Sequence, residues 1–341
     1  MNFASDNWAG ATPAVMAAVA RHNGGSVPAY GGDEVTAAVT QRFCEIFETE
    51  VEVQFVATGT AANTLSMAAL ARPGGLVFCS AEAHLHNDEY GATEFLTGMK
   101  LVPVAAPAGL MTPTALEAAL ARYPEGGRTG PAVALTLTNA SECGTVYEPA
   151  EVRALADLAR ARGMAVHLDG ARFANAVAAT GATPAALTWQ AGVELMSLGG
   201  TKNGCLGAEA IVLFQPGRFP ELGVLRQRAG HVVSKARFVA AQFEGYFEDG
   251  GWLATAAHAN AMAARLSEGI RRSNAARLAW ESRANEVFPV LGKETIARLR
   301  EAGAKFYEWP ADGIGPEEDC VRVVTSFATT ADEVERFVAL L

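Results

Sequence analysis

Through the first two-thirds of the chain, short apolar runs rich in β-branched residues alternate with longer stretches of helical period. The runs 53–57, 76–79, 101–105, 132–138, 165–168, 195–198 and 210–214 predict seven strands. Between them, 61–71, 88–97, 113–121, 149–162 and 172–179 predict helices. The run 132–138 is almost continuously apolar or Thr, as a central strand buried on both faces requires. Such alternation predicts an α/β fold, a mostly parallel seven-stranded sheet covered by helices. Local signals agree. Thr112-Pro113 provides an N-cap and a proline at the first helical position, and Arg160, Arg162 and Gly163 close the helix that Pro149 opens.

The texture changes at the turn-forming pair Pro216-Gly217. Long helical patterns at 223–247 and 252–272 follow. Then come a strand at 286–291, a helix at 293–302, strands at 305–309 and 321–327, and a last helix at 331–340. This tail predicts a small α+β domain. The expected division is a large domain over 1–245, beginning with an arm at 1–20, and a small one over 246–341.

Composition narrows the class. At roughly 150 residues per domain, 341 residues suggest about two domains. Half the residues are hydrophobic, enough for a core without staples. Lys plus Arg number 27 against 37 Asp plus Glu, a formal charge of −10. That argues against nucleic-acid or membrane-surface partners, which want a basic face. The five cysteines are dispersed, so they read as free thiols in a reducing compartment. Residues 1–6 lack a basic-then-apolar signal pattern, and no apolar run approaches the roughly 18 residues of a membrane span. A cytoplasmic protein is expected.

Four segments carry candidate chemistry. In Ser197-Leu198-Gly199-Gly200-Thr201-Lys202-Asn203-Gly204 a strand ends in two glycines and a lysine sits in the tight loop beyond. A lysine held by backbone suits Schiff-base chemistry, although an ordinary surface lysine in a Gly-rich turn reads the same way. In His167-Leu168-Asp169-Gly170-Ala171-Arg172 an apolar strand ends in a carboxylate. There it can hold a pyridinium proton, or merely cap the next helix. Ala57-Thr58-Gly59-Thr60-Ala61 runs from strand into helix, where free N–H groups bind phosphate. His84, after another strand, could lie on an aromatic cofactor or cap a helix. His84, His86 and Asp88 find no further ligand of suitable spacing, so no metal is expected. A phosphate turn, a flat histidine, a strand-end aspartate and a loop lysine on one sheet form the constellation that pyridoxal 5'-phosphate requires.

These segments, with Phe3-Ala4-Ser5-Asp6-Asn7, Ala29-Tyr30-Gly31-Gly32-Asp33-Glu34 and Glu89-Tyr90-Gly91, resemble the low-specificity L-threonine aldolase family of fold type I pyridoxal-phosphate enzymes. The resemblance covers nearly the whole chain. It implies a small amino-acid substrate, cleaved to glycine and an aldehyde by a homo-oligomer built as a dimer of dimers. It also implies residue roles. Lys202 would attach the cofactor, Asp169 would pair with its ring nitrogen and His84 would stack on the ring. Gly59, Thr60 and Ala61 would hold the phosphate. Arg172 and Arg322, with Ser5, would bind the substrate carboxylate, and Tyr30 would line the site from a neighbouring loop. Arg322 fits physically, since a lone arginine in an apolar strand needs an anion, whether substrate or a structural carboxylate. His84, or a water it holds, is the candidate base.

The sequence also departs from the commoner family pattern. Where an Asn-Thr-His run is usual, the chain reads Asn139-Ala140-Ser141, so Ser141 replaces a second histidine. In the basic segment after the lysine, Arg226 or Arg228 is expected to reach a phosphate. An aldolase preferring aryl substrates, a β-eliminating lyase and a non-catalytic binding module on the same scaffold are the alternatives.

Overall fold

The computed structural model describes residues 1–341. All seven predicted strands form: β1 (Glu52–Val56), β2 (Leu76–Ser80), β3 (Lys100–Val104), β4 (Ala132–Thr138), β5 (Ala165–Gly170), β6 (Leu195–Gly199) and β7 (Glu209–Leu213). They make one sheet of order β1-β7-β6-β5-β4-β2-β3. The pairs β3–β2–β4–β5–β6 are parallel, while β7 is antiparallel to both β1 and β6. β7 is therefore the one reversed strand, and its first residue lies at the edge where the other six end. Residues 133–138 of β4 are buried throughout, because helices cover both faces.

The predicted caps hold in detail. Thr112 accepts from the N–H of Ala115 at 3.2 Å ahead of the helix Pro113–Ala121. The N–H of Glu148 donates to Glu151 at 2.7 Å at the start of Pro149–Ala161. Two expected helices are instead shortened or broken. The 88–97 pattern is helical only over Ala92–Thr97, because Tyr90 and Gly91 are left-handed (φ 50 and 70°), and a separate short helix, His84–Asn87, precedes it. The 223–247 pattern forms Leu222–Arg228 and Arg237–Phe247.

Two helices escape the strand–helix reading, Pro13–Arg21 and Glu34–Phe47, capped by Thr12 and Asp33. Phe43 and Phe47 of the second join Phe243 and Phe247 in an aromatic cluster, with Phe43 to Phe247 at 5.1 Å.

The C-terminal region carries five antiparallel strands, β8 (Ala276–Leu278), β9 (Glu286–Val287), β10 (Pro289–Gly292), β11 (Tyr307–Glu308) and β12 (Glu318–Val324). Helices Lys293–Glu301 and Ala331–Val338 pack on this sheet. The expected strand 286–291 is divided at Phe288, whose ring leaves the ladder to meet Trp280 at 4.5 Å. The long helix Gly251–Arg272 joins the two regions. Trp252 and Ala256 belong to the large hydrophobic cluster, and Ala263, Leu266 and Ile270 to the smaller one. Phe3 also belongs to the smaller cluster, and its backbone bonds Lys305 and Val324 at 2.9 Å each. The clusters thus meet beyond residue 245, within one helix, and the start of the chain packs with the C-terminal core. No helix is long and apolar enough to cross a membrane.

Candidate active site

A cavity of about 280 Å³ opens where the parallel strands end, as ligand crevices do in such sheets. Thr138 ends β4 and Asp169 lies near the end of β5. Thr201 and Lys202 follow β6, and Glu209 begins the reversed β7. Thr58 and Gly59 come in from the turn after β1, and His84 from the segment after β2. Four sequence segments from separate strands therefore share one wall.

The position of Lys202 follows from the two glycines before it. A Cβ on Gly199 would lie 2.5 Å from the carbonyl oxygen of Ala171, and one on Gly200 would lie 2.7 Å from that of Ala208. Only glycine lets the chain turn this close to its neighbours. The turn Thr201–Asn203 is then clamped from both sides. The Asn203 amide donates to the Tyr246 hydroxyl at 2.9 Å and to the Trp252 carbonyl at 2.8 Å. The N–H of Thr201 donates to Glu209 at 3.4 Å, and burial pushes the Glu209 carboxyl up to about 7.

Asp169 is buried and its carboxylate is oriented from both oxygens. Oδ1 accepts from the N–H of Ala171 at 3.0 Å and Oδ2 from Asn63 Nδ2 at 2.8 Å. The same Asn63 nitrogen donates to Glu89 Oε1 at 3.0 Å, and that oxygen lies 2.9 Å from His84 Nδ1. The hydrogen bond to Glu89 raises the imidazole above its ordinary value, against the opposing effect of burial. The backbone N–H of His84 donates to Glu142 Oε1 at 2.7 Å. Burial, then the charge of Asp169, pushes Glu142 up to about 7.

At the helix Gly59–Leu70, Thr58 accepts from the N–H of Ala61 at 3.1 Å. Ala61 is thereby committed to the cap, leaving Gly59 and Thr60 as the free donors of the first turn.

Arg172 also lines the cavity, but its guanidinium is held by protein. Nε and Nη2 donate to Asp6 at 2.7 and 3.1 Å, and Nη1 lies 3.3 Å from Glu286. Burial is the largest single influence on the Asp6 carboxylate and works against it, but the charges of Arg172 and Lys202 and the hydrogen bonds from Arg172 and Asn285 together outweigh it and hold the group below the usual carboxylate range. Arg322 reaches the same Glu286 at 3.8 Å and lies over the rings of Trp309 and Tyr307. It is outside the cavity lining. So is Ser5, whose hydroxyl accepts from the N–H of Asn7 at 3.1 Å; Asn7 lines the cavity in its place.

Tyr30 is not brought to this site within one chain. It is 65% exposed and borders a separate cavity of about 180 Å³, with Arg226 and His231. Arg226 donates to the Phe55 carbonyl at 3.2 Å, and Arg228 is exposed. Glu142, Glu209, Asn63 and Glu286 are the site residues that sequence reasoning does not single out. Only Glu209 leaves a plain trace, a carboxylate heading an otherwise apolar strand.

The beta-eliminating lyase family matches this chain over residues 2–291. The low specificity L-threonine aldolase of Pseudomonas sp. (strain NCIMB 10558) is 40% identical over 317 residues, 91% of this chain and 90% of the relative. The enzyme of the same name from Pseudomonas aeruginosa is 41% identical over the same shares. The solved threonine aldolase of Leishmania major superposes with a TM-score of 0.92 at 28% identity, covering 99% of this chain and 98% of that one.

Proposed function

The chain belongs to the beta-eliminating lyase family, among its low-specificity L-threonine aldolases, and we propose that it cleaves L-threonine, L-allo-threonine and related β-hydroxy-α-amino acids to glycine and an aldehyde. The cofactor of such a lyase is pyridoxal 5'-phosphate, and the residues present fit it. A Cβ built on Gly59 meets nothing within 4 Å, and Gly59 and Thr60 both line the cavity, so the helix start leaves room for a phosphate. The observation that carries the reading is the single cavity shared by this helix start, Lys202 and Asp169.

When bound, the cofactor supplies an electron-withdrawing ring that accepts the electron pair released at Cα. Each side chain then has a task. Gly59 and Thr60 hold the phosphate through backbone N–H groups, with the Ala61 end of the turn stiffened by Thr58. Lys202 provides the amine for covalent attachment. Asp169, fixed by Asn63 and Ala171, keeps a proton on the ring nitrogen. His84, held by Glu89, covers the ring face. Arg172, with Asn7 in the lining in place of Ser5, orients the substrate carboxylate and shares its charge with Asp6 and Glu286, while Arg322 adds its charge from outside the lining through the same Glu286.

The same reading makes the protein a cytoplasmic homotetramer arranged as a dimer of dimers, with Tyr30 facing a neighbouring subunit's site. Exposed Tyr30, Tyr90 and Phe95 and five free thiols support it. The deciding experiment incubates the holoenzyme with threonine, allo-threonine and phenylserine. Glycine with the matching aldehyde is expected. Ammonia with 2-oxobutyrate from the threonines, or with phenylpyruvate from phenylserine, would replace this reading by β-elimination.

A further inference from the structure

Retro-aldol cleavage needs a group that removes the β-hydroxyl proton. Beyond the end of β4, where the family resemblance leads one to expect a histidine, this chain has Ser141. That hydroxyl is turned away from the cavity and used up. It lies 2.6 Å from Thr145 Oγ1 and accepts from the N–H of Cys143 at 3.2 Å. The next residue, Glu142, lines the cavity instead and is 7% exposed. Its two oxygens are not equivalent. Oε1 accepts from the His84 N–H at 2.7 Å and from the Thr138 hydroxyl at 3.2 Å, whereas Oε2 is buried without any partner. An unpartnered buried carboxylate oxygen is costly, and a substrate hydroxyl would satisfy it.

We propose that Glu142 is the base that accepts the β-hydroxyl proton, at Oε2, an assignment that rests on the aldolase reading above. The substrate O–H bond breaks and its proton passes to Oε2. The oxygen forms the aldehyde carbonyl as the Cα–Cβ bond breaks and its electron pair stays with Cα. Glu142 then returns its proton to solvent and Cα takes one up, so substrate and products balance with no net proton.

His84 is less suited to this task, because its bond to Glu89 biases the imidazole towards its protonated form. The charges around Glu142 favour a proton carrier near neutrality. Asp169 and Glu286 raise its pKa, adding to burial. Arg172 faces it from the helix after β5, while burial pushes the thiols of Cys79 and Cys143 and the phenol of Tyr147 upward, so these stay neutral.

The test compares the Glu142→Gln and Glu142→Asp holoenzymes with the parent. Three readouts are used: threonine cleavage against pH, the cofactor's visible spectrum, and exchange of the glycine α-hydrogen with deuterated water. Exchange involves no β-hydroxyl. For the parent, kcat/KM should rise with pH through about 7, as the carboxyl ionises. Glu142→Gln should lower kcat by about 10²-fold or more and remove that rise, while spectrum and glycine exchange persist. Glu142→Asp should recover part of the rate with the rise intact. Near-parental cleavage by Glu142→Gln, or equal loss of cleavage and exchange, would overturn the assignment. A parent that releases no aldehyde would instead overturn the aldolase reading, and this assignment with it.

Discussion

Arg172 grips both oxygens of the Asp6 carboxylate, through Nε at 2.7 Å and Nη2 at 3.1 Å. The pair is buried, and Asn285 donates to the same carboxylate at 3.0 Å. Three stretches far apart in sequence are thereby joined at the cavity: the opening segment, the turn after β5 and the start of β9. A guanidinium fork and a carboxylate suit this position because their geometry matches in two bonds.

Removing one partner of a buried pair leaves the other charged and unsatisfied. Asp6→Ala should therefore destabilise the protein by about 3–5 kcal/mol. Glu286 would offset part of that, because it also faces Arg172. Chemical denaturation checks it. An unchanged midpoint would mean that the pair adds nothing to the native state.

Lys202 lies in a turn fixed by backbone contacts and by Asn203, not by its own side chain. Lys202→Ala should leave the thermal unfolding of the apoprotein nearly unchanged. It should abolish the visible absorbance band of covalently attached pyridoxal phosphate. A variant that keeps both the band and its activity would remove Lys202 from that role.

A methyl group at Gly59 would meet no protein atom, so Gly59→Ala should shift apoprotein stability by no more than about 0.5 kcal/mol. The same methyl group would point into the space proposed for the phosphate. Cofactor affinity, measured by fluorescence titration, should fall about tenfold or more. Equal affinity would place the phosphate elsewhere.

His167 lies under the site in β5, its ring nitrogens 2.8 Å from Thr136 Oγ1 and 3.1 Å from Ser197 Oγ. Burial lowers its pKa to about 4, against 6.5 for the free side chain. The unfolded chain therefore binds the proton more readily. Stability linked to this group is complete above about 6.5 and is lost as pH falls through about 4, about 3 kcal/mol in all. Proton NMR of the ring should find it neutral down to roughly that pH. Titration near 6.5 would contradict the burial argument.

Much of the fold is legible in local sequence. β4 announces itself by an unbroken apolar run, and Thr112-Pro113 marks its helix start because capping is a contact between neighbours in the chain. The helices 13–21 and 34–47 are less legible, since they precede the first strand and stand outside the strand–helix alternation, and their apolar faces find a partner only in the helix that carries Phe243 and Phe247. The late start of the helix expected at 88–97 rests on left-handed backbone at Tyr90, a residue with no intrinsic preference for it.

The site divides along the same line. By itself the sequence determined the residues that announce chemistry by their immediate neighbours: Lys202 behind two glycines, Asp169 ending an apolar strand, Gly59 opening a helix. Only the tertiary structure decided which groups face them. It paired Arg172 with Asp6, tied His84 to Glu89, reversed β7 so that Glu209 meets the Lys202 turn, and left Glu142 buried with one oxygen free. The physical reason is that a charge or hydrogen bond acts through space. Its partners are set by how strands and helices pack, and residues 6 and 172 carry no mark in the chain of being neighbours.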